Sequence, residues 1–111
     1  MERRYRLREN EDFQRVRQEG RSWTQPLMVL CALPNGLSHS RFGFSVSRRV
    51  GKATVRNRAK RMMREAVRQR MSEIPSGQDL VFIARAPIAR APFPEVESAV
   101  EGLLSQAGLI K

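Results

Sequence analysis

The sequence has one cysteine, Cys31, and one histidine, His39. A lone cysteine closes no disulfide within the chain, and no cysteine cluster exists to hold zinc. One Cys and one His also leave little for nucleophilic triad chemistry. Acids are scarce: 11 Asp and Glu stand against 21 Lys and Arg, for a net charge of +10. Aromatic residues make up 6 %, too few for base stacking on many rings, although one or two rings would serve locally. The longest purely apolar run, Leu27 to Leu33, is far short of the ~20 residues a membrane-spanning helix needs. The basic start, MERRYRLREN, is followed by no apolar region and does not read as a secretory signal. These absences lead us to expect a soluble protein in a reducing cytoplasm. Cys31, inside an apolar run, reads as a small buried hydrophobe. His39, in a polar stretch, reads as an exposed loop residue.

What is present is positive charge in one place. From Arg41 to Arg70 there are eleven bases and one acid, whereas the rest of the chain holds ten of each and sums to zero. The whole net charge therefore sits in one window. Such a window self-repels in a compact state and points to a polyanionic partner, with nucleic acid first and an anionic membrane surface second. A chain of 111 residues, 41 % apolar, suits a single domain, residues 1–111, with one modest core.

Several elements can be read from the chain. In NEDFQRVRQEG, Asn10 can cap a helix, Glu11 and Asp12 suit its positive end, and Gly20 can stop it. Leu7, Phe13 and Val16 form its narrow apolar stripe. Glu11 and Asp12 read as first-turn charges rather than metal ligands. PLMVLCAL, Pro26 to Leu33, reads as a buried strand. Asn35-Gly36 is a turn signal, and RFGFSVS alternates cleanly, with Phe42, Phe44 and Val46 on one face. Together these predict an antiparallel hairpin. DLVFIARAP holds the continuous run Leu80 to Ala84, which suits a central strand. A last helix begins near Pro94 with the stripe Val96, Ala99, Val100, Leu103 and Leu104, ending at Gly108.

From about Thr54 to Met71 the period is helical. Val55, Ala59, Met62, Met63, Ala66 and Val67 share one face. Asn57, Lys60, Arg61, Arg64 and Arg68 fall opposite, and Arg56 and Arg58 flank the apolar stripe. One side can dock on a sheet while the other presents cations about a helical turn apart, matching the spacing of backbone phosphates. Most charged helix faces are merely solvated, but here only Glu65 relieves the positive charge. A membrane-surface helix fits poorly, because the apolar side is rich in Ala and Met and lacks Trp and Phe anchors.

The segment SVSRRVGKATVRNRAKRMMRE, Ser45 to Glu65, resembles the signature of the bacterial ribonuclease P protein subunit. RLRENEDFQRVRQEG resembles that family's first helix, and DLVFIARAP the strand that follows its basic helix. The resemblance implies an α+β fold, a small sandwich of order αβββαβα whose central mixed sheet contains a left-handed βαβ crossover. It implies a protein cofactor for a catalytic RNA that removes the 5′ leader from precursor tRNA, with no catalytic residue and no metal site of its own. Mg²⁺ would be held mainly by RNA and substrate phosphates. By this likeness Arg56, Asn57, Arg58, Lys60, Arg61, Arg64 and Arg68 contact ribonuclease P RNA, and Arg48, Arg49 and Lys52 extend the patch. A cleft between the first helix and the sheet would hold the leader, with Phe13 and Phe44 lining it. The implied partners are ribonuclease P RNA and precursor tRNA, with no membrane and no protein partner.

The chain departs from the family pattern at two positions. Arg17 stands where a second aromatic is frequent, and Cys31 where a strand Tyr is frequent. Leader binding would then lean on Arg15 or Arg17 instead of rings. Two competing readings remain. A general RNA-binding module, such as a ribosomal protein or RNA chaperone, fits the charge but not the motif order. A major-groove DNA helix lacks both a dimer interface and a preceding helix-turn-helix partner.

Overall fold

Leu80 to Ala84, a run without a polar side chain, becomes part of an inner strand of the sheet. The computed structural model describes all residues, Met1–Lys111. Its elements are α1 (Asn10–Glu19), β1 (Arg21–Thr24), β2 (Met28–Pro34), β3 (Arg41–Ser45), α2 (Ala53–Arg68), β4 (Gln78–Ala84) and α3 (Phe93–Gln106). The order αβββαβα agrees with expectation, and the fold is α+β. The strands form one sheet in the order β1-β2-β4-β3. β1 pairs with β2 and β2 with β4 antiparallel, while β3 and β4 run parallel.

β2 and β3 do not form the hairpin that Asn35-Gly36 predicts, because β4 lies between them. The turn signal is local, but strand adjacency is settled by burial. β4 has the longest unbroken run of buried residues among the strands, Asp79 to Phe82, and takes an inner place, flanked on both sides. The β2–β3 loop must then cross the end of β4, where hydrogen bonds and ion pairs to one buried carboxylate pin it. Asp79, 1 % exposed, stands opposite Leu33 of β2 and Arg41 of β3. Arg41 grips its carboxylate through Nε at 2.9 Å and Nη2 at 2.7 Å. Asn35 Nδ2 donates to it at 2.9 Å from the crossing loop. From α1, Arg15 Nη2 reaches Asp12 at 2.7 Å and Asp79 at 3.5 Å. Burial pushes the Asp79 carboxyl up, but the Arg41 and Asn35 hydrogen bonds and the Arg41 and Arg15 charges outweigh it and hold it below its ordinary range.

The sheet has two covered faces. On one, α1 lays Val16 over Cys31 and Val81, joined by Leu7. On the other, α2 and α3 bury Ala59, Met63, Ala66, Val67, Val96, Val100, Leu103 and Leu104 against Met28, Leu30, Phe42, Leu80 and Phe82. The stripe read for α3 is buried in full. In α2 Met63 is fully buried, but Val55 and Met62 only flank the core. Gly20 ends α1 through close approach: a Cβ there would sit 2.5 Å from the carbonyl oxygens of both Ala32 and Val16.

Smaller expectations also shift. Asn10 is the first helical residue, with Glu9 at the cap position and no side chain capping the helix. β3 ends at Ser45, so Val46 lies beyond it. Cys31 is buried as read, and burial pushes its thiol up. His39 is half-buried rather than exposed, edge-on to Tyr5 at 5.7 Å between ring centroids.

Candidate nucleic-acid interface

The cationic side of α2 is built by the same periodicity that buries its other side. Ala59, Met63, Ala66 and Val67 dock on the sheet, so Asn57 and Arg61 point to solvent and Lys60 and Arg64 lie half-exposed beside them. Ahead of the helix, Arg48–Val50 forms a single 3-10 turn that buries Val50 and leaves Arg48 and Arg49 exposed. Lys52 occupies the helix cap, without a side-chain cap and without an acid in the first turn. The unpaired N–H groups and the positive end of the helix dipole thus add to Arg48, Arg49 and Lys52, a combination that attracts anions.

No ion pair and no side-chain hydrogen bond within the protein reaches Arg48, Arg49, Lys52, Arg56, Asn57, Lys60, Arg61 or Arg64. Arg56 and Arg64 even bury an Nε that donates to nothing. The other two predicted contacts are partly committed. Arg68 is held bidentate by Glu65 at 2.9 and 2.6 Å. Arg58 donates to the Ala91 carbonyl at 3.1 Å, tying α2 to the turn before α3. These ties give both a share in the structure, while the rest of the row is left without a counter-charge.

Phe13, Arg17 and Phe44 come together in one cleft of about 370 Å³, joined by Asn10, Gln14, Ser45, Val46 and Lys60. The cleft lies at the open edge of β3 and does not run simply between α1 and the sheet. Strand alternation sends Gly43 and Ser45 toward α1, and Phe42 and Phe44 toward α2. Phe13 packs over Gly43, where a Cβ would come within 2.7 Å of its ring. Phe44 stacks on Phe82 at 5.8 Å on the other face, with the Arg64 guanidinium 5.9 Å above its ring. Because β3 is an edge strand, groups from both faces meet around its rim.

Arg17 is exposed and makes no ion pair or side-chain hydrogen bond within the protein, whereas Arg15 is committed to Asp12 and Asp79. Of the two arginines expected to replace lost rings, only Arg17 is available. Cys31 packs under Val16 and does not line the cleft. Reading the sequence by element missed Asn10 and Gln14. Their spacing with Arg17, at i, i+4 and i+7, marks one helix face and could have found them. Lys60, expected only on the α2 face, also enters the cleft and makes the two surfaces continuous. No group of three or more His, Cys, Asp or Glu side chains converges in a way that could hold a metal ion. No helix is long and apolar enough to cross a membrane.

Comparison with known proteins bears on this surface. The Ribonuclease P family model matches residues 1–108. The ribonuclease P protein component of Roseiflexus castenholzii is 47 % identical over 100 % of this chain and 92 % of its own length. The Staphylococcus aureus RNase P protein structure superposes with a TM-score of 0.89 at 32 % identity, covering 96 % of this chain and 98 % of that one. The Thermotoga maritima RNase P protein gives 0.82 at 37 % identity, covering 91 % and 96 %. Matched along nearly its whole length in both sequence and fold, the chain belongs to the ribonuclease P protein family.

Proposed function

We propose that the unpaired cationic side of α2, with Arg48, Arg49 and Lys52, grips the backbone of ribonuclease P RNA, and that the β3-edge cleft takes the single-stranded 5′ leader of precursor tRNA. As a subunit of the endoribonuclease ribonuclease P, the chain acts in tRNA processing. The observation that carries the finer reading is the continuity of the two surfaces through Lys60. One polyanion bound on α2 would leave a second strand within reach of Phe13, Arg17 and Phe44. Arg predominates in the row, and its planar fork suits phosphate oxygens and stacks on bases.

The whole chain, residues 1–111, works in this reading as a single RNA-binding domain of the cytoplasm. Its side chains position RNA and do not cut it. The acids are dispersed or tied to arginines and no three of them converge, which supports the reading that Mg²⁺ is held mainly by RNA. Mg²⁺ bound by RNA and substrate phosphates would supply the hydrolytic chemistry, and the protein's cations would lower the repulsion between the two RNAs.

Reconstitution tests this. The chain is mixed with a bacterial ribonuclease P RNA and a leader-bearing precursor tRNA at low Mg²⁺. Cleavage at the mature 5′ end is expected to rise, with affinity growing as the leader lengthens. Equal binding to unrelated structured RNAs, regardless of leader length, would favour a general RNA-binding module instead.

A further inference from the structure

We propose that Arg6, from the segment ahead of α1, completes with Arg61 and Arg64 a seat for one RNA phosphate, so that the bound backbone straps the N-terminal segment to the edge of β3. This deepens the RNA-binding reading of α2 and rests on it.

The backbone brings Arg6 there. Arg6 forms a parallel bridge with Phe42, and the Leu7 N–H donates to the Phe42 carbonyl at 2.8 Å. The segment thereby covers the first half of the β3 edge and leaves the cleft open at the second. Paired side chains in a sheet share a face. Arg6 therefore shares the α2 side with Phe42, while Leu7 turns to the opposite side and is buried beside Val16 and Val81. On that α2 side, two residues further along β3, the Arg64 guanidinium lies over Phe44.

The charges there have no relief. Neither a carboxylate nor a carbonyl accepts from Arg6, Arg61 or Arg64, and Arg64 Nε is buried without a partner. Burial, then the charges of Arg6 and Arg61, pull Arg64 below its ordinary range, and no acid offsets them. A neighbouring arginine shows the contrast, since Arg4 lies 3.8 Å from Glu2 and 4.7 Å from the Tyr5 ring centre. Three like charges from two separate segments repel in the free protein. An oxyanion seated among them converts that repulsion into attraction. A phosphodiester fits because the seat continues the α2 row, and Arg forks match phosphate oxygens.

The test uses the full chain and ribonuclease P RNA, with affinity measured across a range of salt concentrations. Arg6→Gln should weaken binding about tenfold at low salt and lower the log–log salt slope by about one. Arg6→Lys, which keeps the charge but loses the fork, should fall between. The Arg6→Gln/Arg64→Gln double variant should lose less than the product of the single losses, because one seat is removed once. Arg6→Gln combined with Arg48→Gln should multiply. Thermal melting should be unchanged for Arg6→Gln. Loss of affinity in Arg56→Gln/Arg61→Gln with none in Arg6→Gln would overturn the seat and leave the α2 reading standing. If neither variant loses affinity, the α2 reading itself fails. Multiplicative losses for Arg6 and Arg64 would overturn a shared phosphate. Binding of polyglutamate as tight as RNA, abolished by Arg6→Gln, would assign the seat to acidic peptides instead.

Discussion

Two groups of arginines in this protein have opposite fates. At the start of β4, Arg41 and Arg15 converge on Asp79, which is 1 % exposed. On α2, Arg56, Arg61 and Arg64 have no acid within ion-pair distance, since Glu65 is engaged by Arg68. The side chain is the same, but the work differs. A buried carboxylate is tolerated only when paired and hydrogen-bonded, so the first group is bound into the fold. The second group gains no ion pair from the fold, and in the proposed function it meets a partner that brings its own negative charge. What separates the two groups is whether the fold supplies a counter-ion.

The largest effect should come from removing what holds α2 in place. Met63 is fully buried, so Met63→Asp strands a charge in the core and should unfold the domain, read as loss of a cooperative thermal transition. Met62→Asp, at the partly buried flank, should be milder.

Next is the paired group. Asp79→Ala leaves Arg41 without its partner and frees the crossing loop, and should cost about 3 kcal/mol in denaturant unfolding. RNA affinity of the remaining folded fraction should be unchanged. The Asp79 carboxyl lies below its ordinary range in the folded state. Its contribution is therefore complete above the unfolded value of about 3.9 and is lost as pH falls through the folded value. The stability gap between parent and Asp79→Ala should close on acidification below that point. A gap that persists there would mean that the loop is not pinned by charge.

The unpaired group should behave in reverse. Arg56→Gln/Arg61→Gln should leave stability within about 0.5 kcal/mol while weakening RNA binding and lowering the salt slope by about two. The smallest effect is expected at Gly43→Ala. Its Cβ would meet the far end of the Phe13 ring at 2.7 Å, so the ring should yield before the strand does. A cost of about 1 kcal/mol in stability is expected, together with a few-fold change in affinity for leader-bearing but not leaderless precursor tRNA.

The cationic row was legible in the sequence because a helix of fixed period sorts side chains by position alone. Once Ala59, Met63 and Ala66 are buried, Asn57 and Arg61 have nowhere to go but outward. The α3 stripe was legible for the same reason. The supposed hairpin failed because Asn35-Gly36 says only that the chain turns, not which strand it meets. In the structure Asn35 serves the crossing loop, with Nδ2 on Asp79 and Oδ1 accepting from the Leu37 N–H at 2.8 Å. The cleft was only half legible. Phe13 and Phe44 stand on opposite faces of the sheet and meet only because β3 is at an edge.

Periodicity and charge count thus determined, from the residues alone, that one helix would have an apolar side and a cationic side with a single acid, Glu65, in its own segment. These are properties of spacing along a single element, and no distant contact can alter them. Tertiary structure decided which arginines stay unpaired, since that depends on where Asp79, Glu65 and the Ala91 carbonyl come to rest. It also decided that β4 separates β2 from β3 and opens the rim where Phe13, Arg17, Phe44 and Lys60 meet. Those outcomes follow from competition for burial among strands distant in sequence, which no local pattern encodes.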